Sequence, residues 1–285
     1  MSEEPEVTDL GFKLGWVKDL PDRRDYTLST PEVKPFVLKD VPESPSKFLI
    51  SDSVAMPTIM DQGKQGSCTA NAGVYLCGVH EVVAQFDPEL LSRAFLYKVT
   101  RNLLGWSGDT GAHLRNTMQA MAMFGVPPER YFPYDDSKFD VEPSAFLYSM
   151  ASNYQALTYY RLDPQGKPAD KVLENIKINI AAKRACMFGF MVYDFSPKGD
   201  VMLPLPGERQ KGGHAVCAVG YDDDKVIVHR DQSETKGAIQ FANSWSAGWG
   251  ENGFGWIPYA FVMGGVATDW WTMMSAEWVG LTQFK

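Results

Sequence analysis

Asp61-Gln62-Gly63-Lys64-Gln65-Gly66-Ser67-Cys68-Thr69-Ala70-Asn71-Ala72 is the stretch around which the chain is organised. A polar, glycine-rich turn leads straight into an apolar run from Val74 to Phe86, with a lone cysteine at the junction. Read as a helix, that run puts Cys68 in its first turn, where unpaired backbone N–H groups and the positive end of the dipole favour a thiolate. A thiolate nucleophile needs a base or imidazolium partner and donors that hold an oxyanion. The rest of the chain has to supply both.

At 285 residues the chain can bury a sizeable core as one large domain or two fused lobes. Apolar residues make up 45% and charged residues 22%, which is ordinary globular material. The net charge of -8 offers no basic footprint and argues against a nucleic-acid partner. No apolar run reaches the length of a membrane span, and the acidic start lacks a signal core, so the chain as written reads as cytoplasmic unless a leader preceded it. Four scattered cysteines (Cys68, Cys77, Cys186, Cys217) do not make a disulfide scaffold. Cys77-Gly78-Val79-His80 reads better as part of an apolar helix than as a metal site, and no metal or other cofactor is expected.

Residues 1–47 form a prefix rich in proline, expected to be extended and irregular. Its apolar residues Phe12, Leu14, Trp16, Val17 and Leu20 need a surface to lie on. Two readings stay open: a structural strap on the body, or an inhibitory arm crossing the active cleft. Residues 48–285 form the main domain. Phe48–Ile50 suggests a short strand. The run after Thr69 suggests a core helix whose Gly73 and Gly78 need close packing as compensation. Further helices are expected from Pro88 to about Leu104, from about Ala112 to Phe124, and from about Ala169 to Lys183. Strand patterns follow at 186–193, 214–221, 225–229, 239–243 and 253–257, with a three-aspartate turn at 222–224. Helices first and strands later imply an α+β chain of two lobes, one helical and one antiparallel, with a cleft between them.

Among four histidines, His214 stands at the mouth of an apolar strand after Gly212-Gly213; Asn243-Ser244-Trp245 ends another such segment. Each alone reads as structural. In the order Gln62, Cys68, His214, Asn243 they resemble the papain-like cysteine peptidases. The likeness rests on Gln62–Cys68, Gly213-His214-Ala215-Val216, Asn243-Ser244-Trp245 and Gly248–Gly253 and spans residues 48 to 262. The branch it is closest to is bacterial and viral, with a short prefix. The Cys68–His214 spacing falls within the roughly 130–150 residues of that family.

The resemblance implies a papain-like two-lobe fold: a helical lobe carrying the nucleophile helix, and an antiparallel β-barrel-like lobe carrying the histidine and asparagine. It implies a cysteine endopeptidase working through a thioester acyl-enzyme on peptide or protein substrates. Cys68 would be the nucleophile, His214 its acid–base partner, and Asn243 the ring's orienting acceptor. Gln62 would join the Cys68 N–H in the oxyanion hole, and Trp245 would shield the His–Asn bond. Gly111, Ala112, His113 and Leu114 would line the non-primed side. Gly189, Gly213 and Ala215 would border a pocket with room for a bulky apolar side chain.

Two departures stand out. Gln65 occupies the place of a disulfide cysteine in secreted members, and Thr69 replaces the usual aromatic after the nucleophile. Competing readings are a transglutaminase- or deamidase-type thiol acyltransferase and a catalytically silent binding protein on the same fold. The intact Cys68, His214, Asn243 and Gln62 weigh against both.

Overall fold

Every residue from Cys68 to Val79 is buried in the first long helix, α1 (Cys68–Val83). A helix apolar on all sides is stable only when surrounded. A Cβ at Gly73 would press on Met121, Leu96 and Thr117, and one at Gly78 on Pro57, so the glycines let neighbours approach the helix backbone. The structure, a computed structural model, describes residues 11–34 and 44–278, apart from the side chains of 156–157 and 275–278. Of the prefix, residues 1–10 and 35–43 lie outside the described residues, so the expectation of an irregular segment is met on 11–34.

Packed beside α1 are α2 (Arg93–Leu104) and α3 (Leu114–Met123), followed by α4 (Ala145–Ala151), α5 (Ala169–Ala181) and α6 (Tyr259–Met263). The strands are β1 (Lys47–Leu49), β2 (Tyr154–Arg161), β3 (Cys186–Met191), β4 (Asp194–Phe195), β5 (Val201–Met202), β6 (Gly213–Val228), β7 (Glu234–Ala242), β8 (Phe254–Pro258) and β9 (Ala267–Trp278). Seven of them build one sheet in the order β2-β9-β3-β6-β7-β8, with β1 paired to β6. Its pairings are antiparallel throughout. α1 lies against β6, so the helical lobe meets the sheet along the strand that carries His214. The fold is the two-lobe α+β arrangement expected.

Four expectations are corrected. The second helix begins at Arg93, not Pro88: Ser92 caps it by accepting the Phe95 N–H at 3.1 Å, while Leu91 is bridged to Pro128 and Glu129 N–H bonds Leu90. The third begins at Leu114, because Gly111 sits at φ 74 and both polar groups of Ala112 are taken by the prefix. No turn interrupts 222–224. β6 runs through them, and a register shift between Asp222 and Val226 absorbs the extra residues. Finally, β2 and β9 add two strands the patterns did not announce, and β2 falls between helices. No helix among the described residues is long and apolar enough to cross a membrane.

Candidate active site

Gln62, Cys68, His214 and Asn243 converge where α1 meets the sheet, and all four are buried. Cys68 is the first residue of α1, behind Ser67. Burial pushes its thiol up to about 11, opposed by the backbone N–H groups of Ala215, Gly15 and Thr69 directed at the sulfur. Ala215 follows His214 on β6, so its N–H ties the histidine strand to the cysteine.

His214 Nε2 lies 2.8 Å from Asn243 Oδ1. That oxygen also accepts the Ser244 N–H at 2.8 Å, which fixes the amide orientation and makes Nε2 the donor. A neutral ring therefore carries its lone pair on Nδ1, which is buried without a hydrogen-bond partner. Burial lowers the imidazole to about 4, and the Asn243 bond acts in the opposite direction. Trp245 stacks on the ring at 4.6 Å and is almost wholly buried. Burial thus works against the charged form of both groups, while the amides directed at the sulfur and the Asn243 bond work for it. Removal from water outweighs the favourable amides.

Gln62 is held by a residue that carried no assigned role in the sequence. Ser244 Oγ donates to Gln62 Oε1 at 2.6 Å, and Gln62 N–H bonds the Ser244 carbonyl at 2.8 Å. Nε2 is left to donate to the carbonyls of Gln65 at 2.8 Å and Lys13 at 3.0 Å.

Prefix residues accompany these groups. Trp16 pairs parallel with Ala112: Ala112 N–H bonds the Gly15 carbonyl at 2.8 Å, and Val17 N–H the Ala112 carbonyl at 3.0 Å. Trp16 N–H bonds the Gly213 carbonyl at 2.9 Å. The Trp16 ring covers Gly189, where a Cβ would collide with it, and His113 Nδ1 meets the Val17 carbonyl at 2.9 Å. Phe12 stacks on Trp245 at 5.0 Å. Of the residues assigned to substrate contact, Gly111, Ala112, His113, Gly189, Gly213, Ala215 and Trp245 are thus gathered here. Leu114 is instead fully buried in the core at the start of α3.

Further along the prefix, Asp19 enters a buried charge cluster. Its N–H bonds Asp269 at 2.7 Å, and its carboxylate accepts Trp271 Nε1 at 2.9 Å and Arg115 N–H at 3.2 Å. Asp25 pairs with Arg115 at 2.6 Å, and Arg161 pairs with Asp163 and Asp269. No group of metal-binding side chains occurs among the described residues.

This geometry has known counterparts. The description "Papain family cysteine protease" matches residues 44–271. Xylellain, a cysteine protease from Xylella fastidiosa, superposes with a TM-score of 0.74 at 28% identity, covering 95% of this chain and 97% of its own. Procathepsin B S9 from Trypanosoma congolense gives 0.66 at 17% identity, covering 92% and 87%, a likeness of fold. An uncharacterized peptidase C1-like protein of Acanthamoeba polyphaga mimivirus is 29% identical across 93% of this chain and 88% of its own length. With some four-fifths of its length matched and its cysteine, histidine and asparagine drawn together between helix and sheet, the chain belongs to the papain family of cysteine proteases.

Proposed function

We propose that the protein is a cysteine endopeptidase in which Cys68 attacks the scissile carbonyl and His214 Nδ1 takes the thiol proton. His214 then returns the proton to the leaving amine, and the thioester left on Cys68 is hydrolysed by water activated by the neutral imidazole. Asn243 orients the ring, and Gln62 Nε2 with the Cys68 N–H binds the oxyanion. The observation that carries this reading is the fixed His214–Asn243 bond, which leaves a bare Nδ1 on the strand whose next N–H is directed at the Cys68 sulfur. Replacing Cys68 by Ala abolishes peptide hydrolysis under this reading. Turnover surviving in Cys68→Ala contradicts it.

The prefix acts as an inhibitory arm in the same proposal. Three contacts support it: Lys13 carbonyl on Gln62 Nε2, Gly15 N–H on the Cys68 sulfur, and Trp16 against Gly189. Departure of the arm admits water, which relieves the burial that works against the thiolate and the imidazolium. Trp16 also supports a preference for a bulky apolar, aromatic-sized side chain over Gly189. All four cysteines are free thiols, which supports operation in a reducing compartment such as the cytoplasm.

A further inference from the structure

Arg93, the first residue of α2, is buried. Its Nε and Nη2 donate to the two Glu129 carboxylate oxygens at 3.1 Å each. Nη1 points away from that ion pair: it donates to the Asp61 carbonyl at 2.9 Å and to Asn71 Oδ1 at 3.1 Å. A guanidinium can only donate, so Asn71 turns its Nδ2 the other way, onto the Ser67 carbonyl at 3.0 Å and the Ser67 hydroxyl at 3.1 Å. The Tyr134 ring lies against the guanidinium, 4.0 Å from the central carbon to the ring centroid. The Tyr134 hydroxyl donates to the Gln62 carbonyl at 2.8 Å and lies 2.6 Å from Ser67 Oγ. With its single proton on Gln62, Tyr134 accepts from Ser67.

Arg93 therefore reaches both ends of the turn before Cys68. At one end it holds Asp61, next to Gln62; at the other it holds Ser67, next to Cys68, through Asn71. Tyr134 ties the same two ends together directly. Between them, residues 63–67 include two glycines and no apolar side chain, so the turn brings little packing of its own to offset the entropy of ordering it. The proposed oxyanion hole takes one donor from each end, Gln62 Nε2 and the Cys68 N–H. Ser244 fixes the Gln62 amide from the sheet, and the Arg93–Tyr134 pair fixes the backbone on which that amide and Cys68 are carried. An ion pair serving stability alone needs only Glu129. We propose that Arg93 and Tyr134 are positioning residues: they hold the two oxyanion donors at their working separation, acting through Gln62 and Cys68 rather than on the substrate. The proposal rests on the peptidase reading and deepens it by naming what sets the geometry of its oxyanion hole.

The test is a double-mutant cycle with Gln62→Ala, made in full-length wild type and in full-length Gly15→Ala and read on a fluorogenic peptide. Tyr134→Phe keeps the ring against Arg93 and removes only the hydroxyl; kcat falls about tenfold, with KM within about twofold of the parent. Arg93→Lys lowers kcat further, because an ammonium does not reproduce the fork. Gln62→Ala by itself costs about 10²–10³ in kcat. In that background Tyr134→Phe and Arg93→Lys each cost less than about twofold more, since a hole with one donor has no separation to keep. Alkylation of Cys68 by iodoacetamide, a displacement that develops no oxyanion, stays within about twofold of the parent rate. Residues that only stabilise the lobe would lower kcat by the same factor with and without Gln62, and equal factors overturn the proposal. So does a Tyr134→Phe enzyme with the parent's kcat, or one whose Cys68 is alkylated as slowly as its peptide is cleaved. Where Arg93→Lys does not fold, Glu129→Gln, which keeps the guanidinium and weakens its anchor, takes its place in the cycle. Failure of both parents to cleave any peptide overturns the peptidase reading as well, whereas active parents with equal factors overturn the positioning role alone.

Discussion

Ser244 Oγ donates to Gln62 Oε1 at 2.6 Å, and both residues are buried. The bond spans the two lobes and decides which end of the glutamine amide is left to donate. Because Oε1 is occupied, Nε2 must point toward the carbonyl it serves, the Lys13 oxygen in this structure. Orientation of the Gln62 amide, the proposed oxyanion donor, is therefore a property of the Asn243-Ser244-Trp245 segment as much as of Gln62.

Ser244→Ala removes that hold without touching the nucleophile. The lost bond is about 1 kcal/mol, or several-fold in rate. The expected result is a several-fold fall in kcat with KM little changed, measured by steady-state hydrolysis. A variant with wild-type kcat shows that Gln62 needs no such support.

Asn243→Ala leaves His214 with no acceptor on Nε2, so ring and tautomer are no longer fixed. Turnover should fall by an order of magnitude or more yet stay measurable, because Trp245 still stacks on the ring. His214→Ala should abolish it. If the two substitutions have equal effects, Asn243 does more than orient.

Stability should respond to pH through Asp19. Burial first, and then the Asp269 charge, hold its carboxyl up at about 6 against an ordinary 3.8. His113, Arg115, Arg161, Asp163, Asp25 and Asp269 are the charged or titratable groups around it. A raised carboxyl pKa means that the folded state holds more protons than the unfolded state between those values. Its stabilising effect is present at low pH and is lost as pH rises through about 6. Asp163, raised to about 6 by burial, acts in the same direction and remains in the variant. Thermal unfolding of wild type and Asp19→Asn from pH 4 to 7 should show the wild type losing Tm relative to the variant as pH rises. A constant difference would show that Asp19 titrates normally.

The site was legible because its residues lie at the ends of strongly patterned elements. Cys68 marks a glycine-rich turn before an apolar helix, His214 a glycine pair before an apolar strand, and Asn243 the end of another. What stayed hidden depends on partners distant in sequence. β9 gains its place from pairing with β2 and β3. Pro88 reads as a helix start until Leu90 and Leu91 are seen bonded to the segment at Pro128–Glu129. Asp222–Asp224 reads as a turn, yet pairing with β7 on either side carries the strand through it. Ser244 was in view as part of a motif, but its bond to Gln62 crosses 182 residues. The choice between strap and inhibitory arm could not be made from composition. Apolar prefix residues require a surface but do not name it.

Gly15 gives the most direct measurement. A Cβ there would collide with the Gly66 carbonyl, while the Gly15 N–H faces the Cys68 sulfur. Gly15→Ala should therefore lift the prefix from Cys68 while leaving the catalytic residues unchanged. The rate at which an epoxide thiol reagent labels Cys68, followed by intact mass, should rise at least about tenfold over wild type, a shift of about 1.4 kcal/mol in accessibility. Peptide hydrolysis should rise with it. Equal labelling rates in the two proteins, with equal hydrolysis, would contradict the account of a thiol peptidase covered by its own prefix.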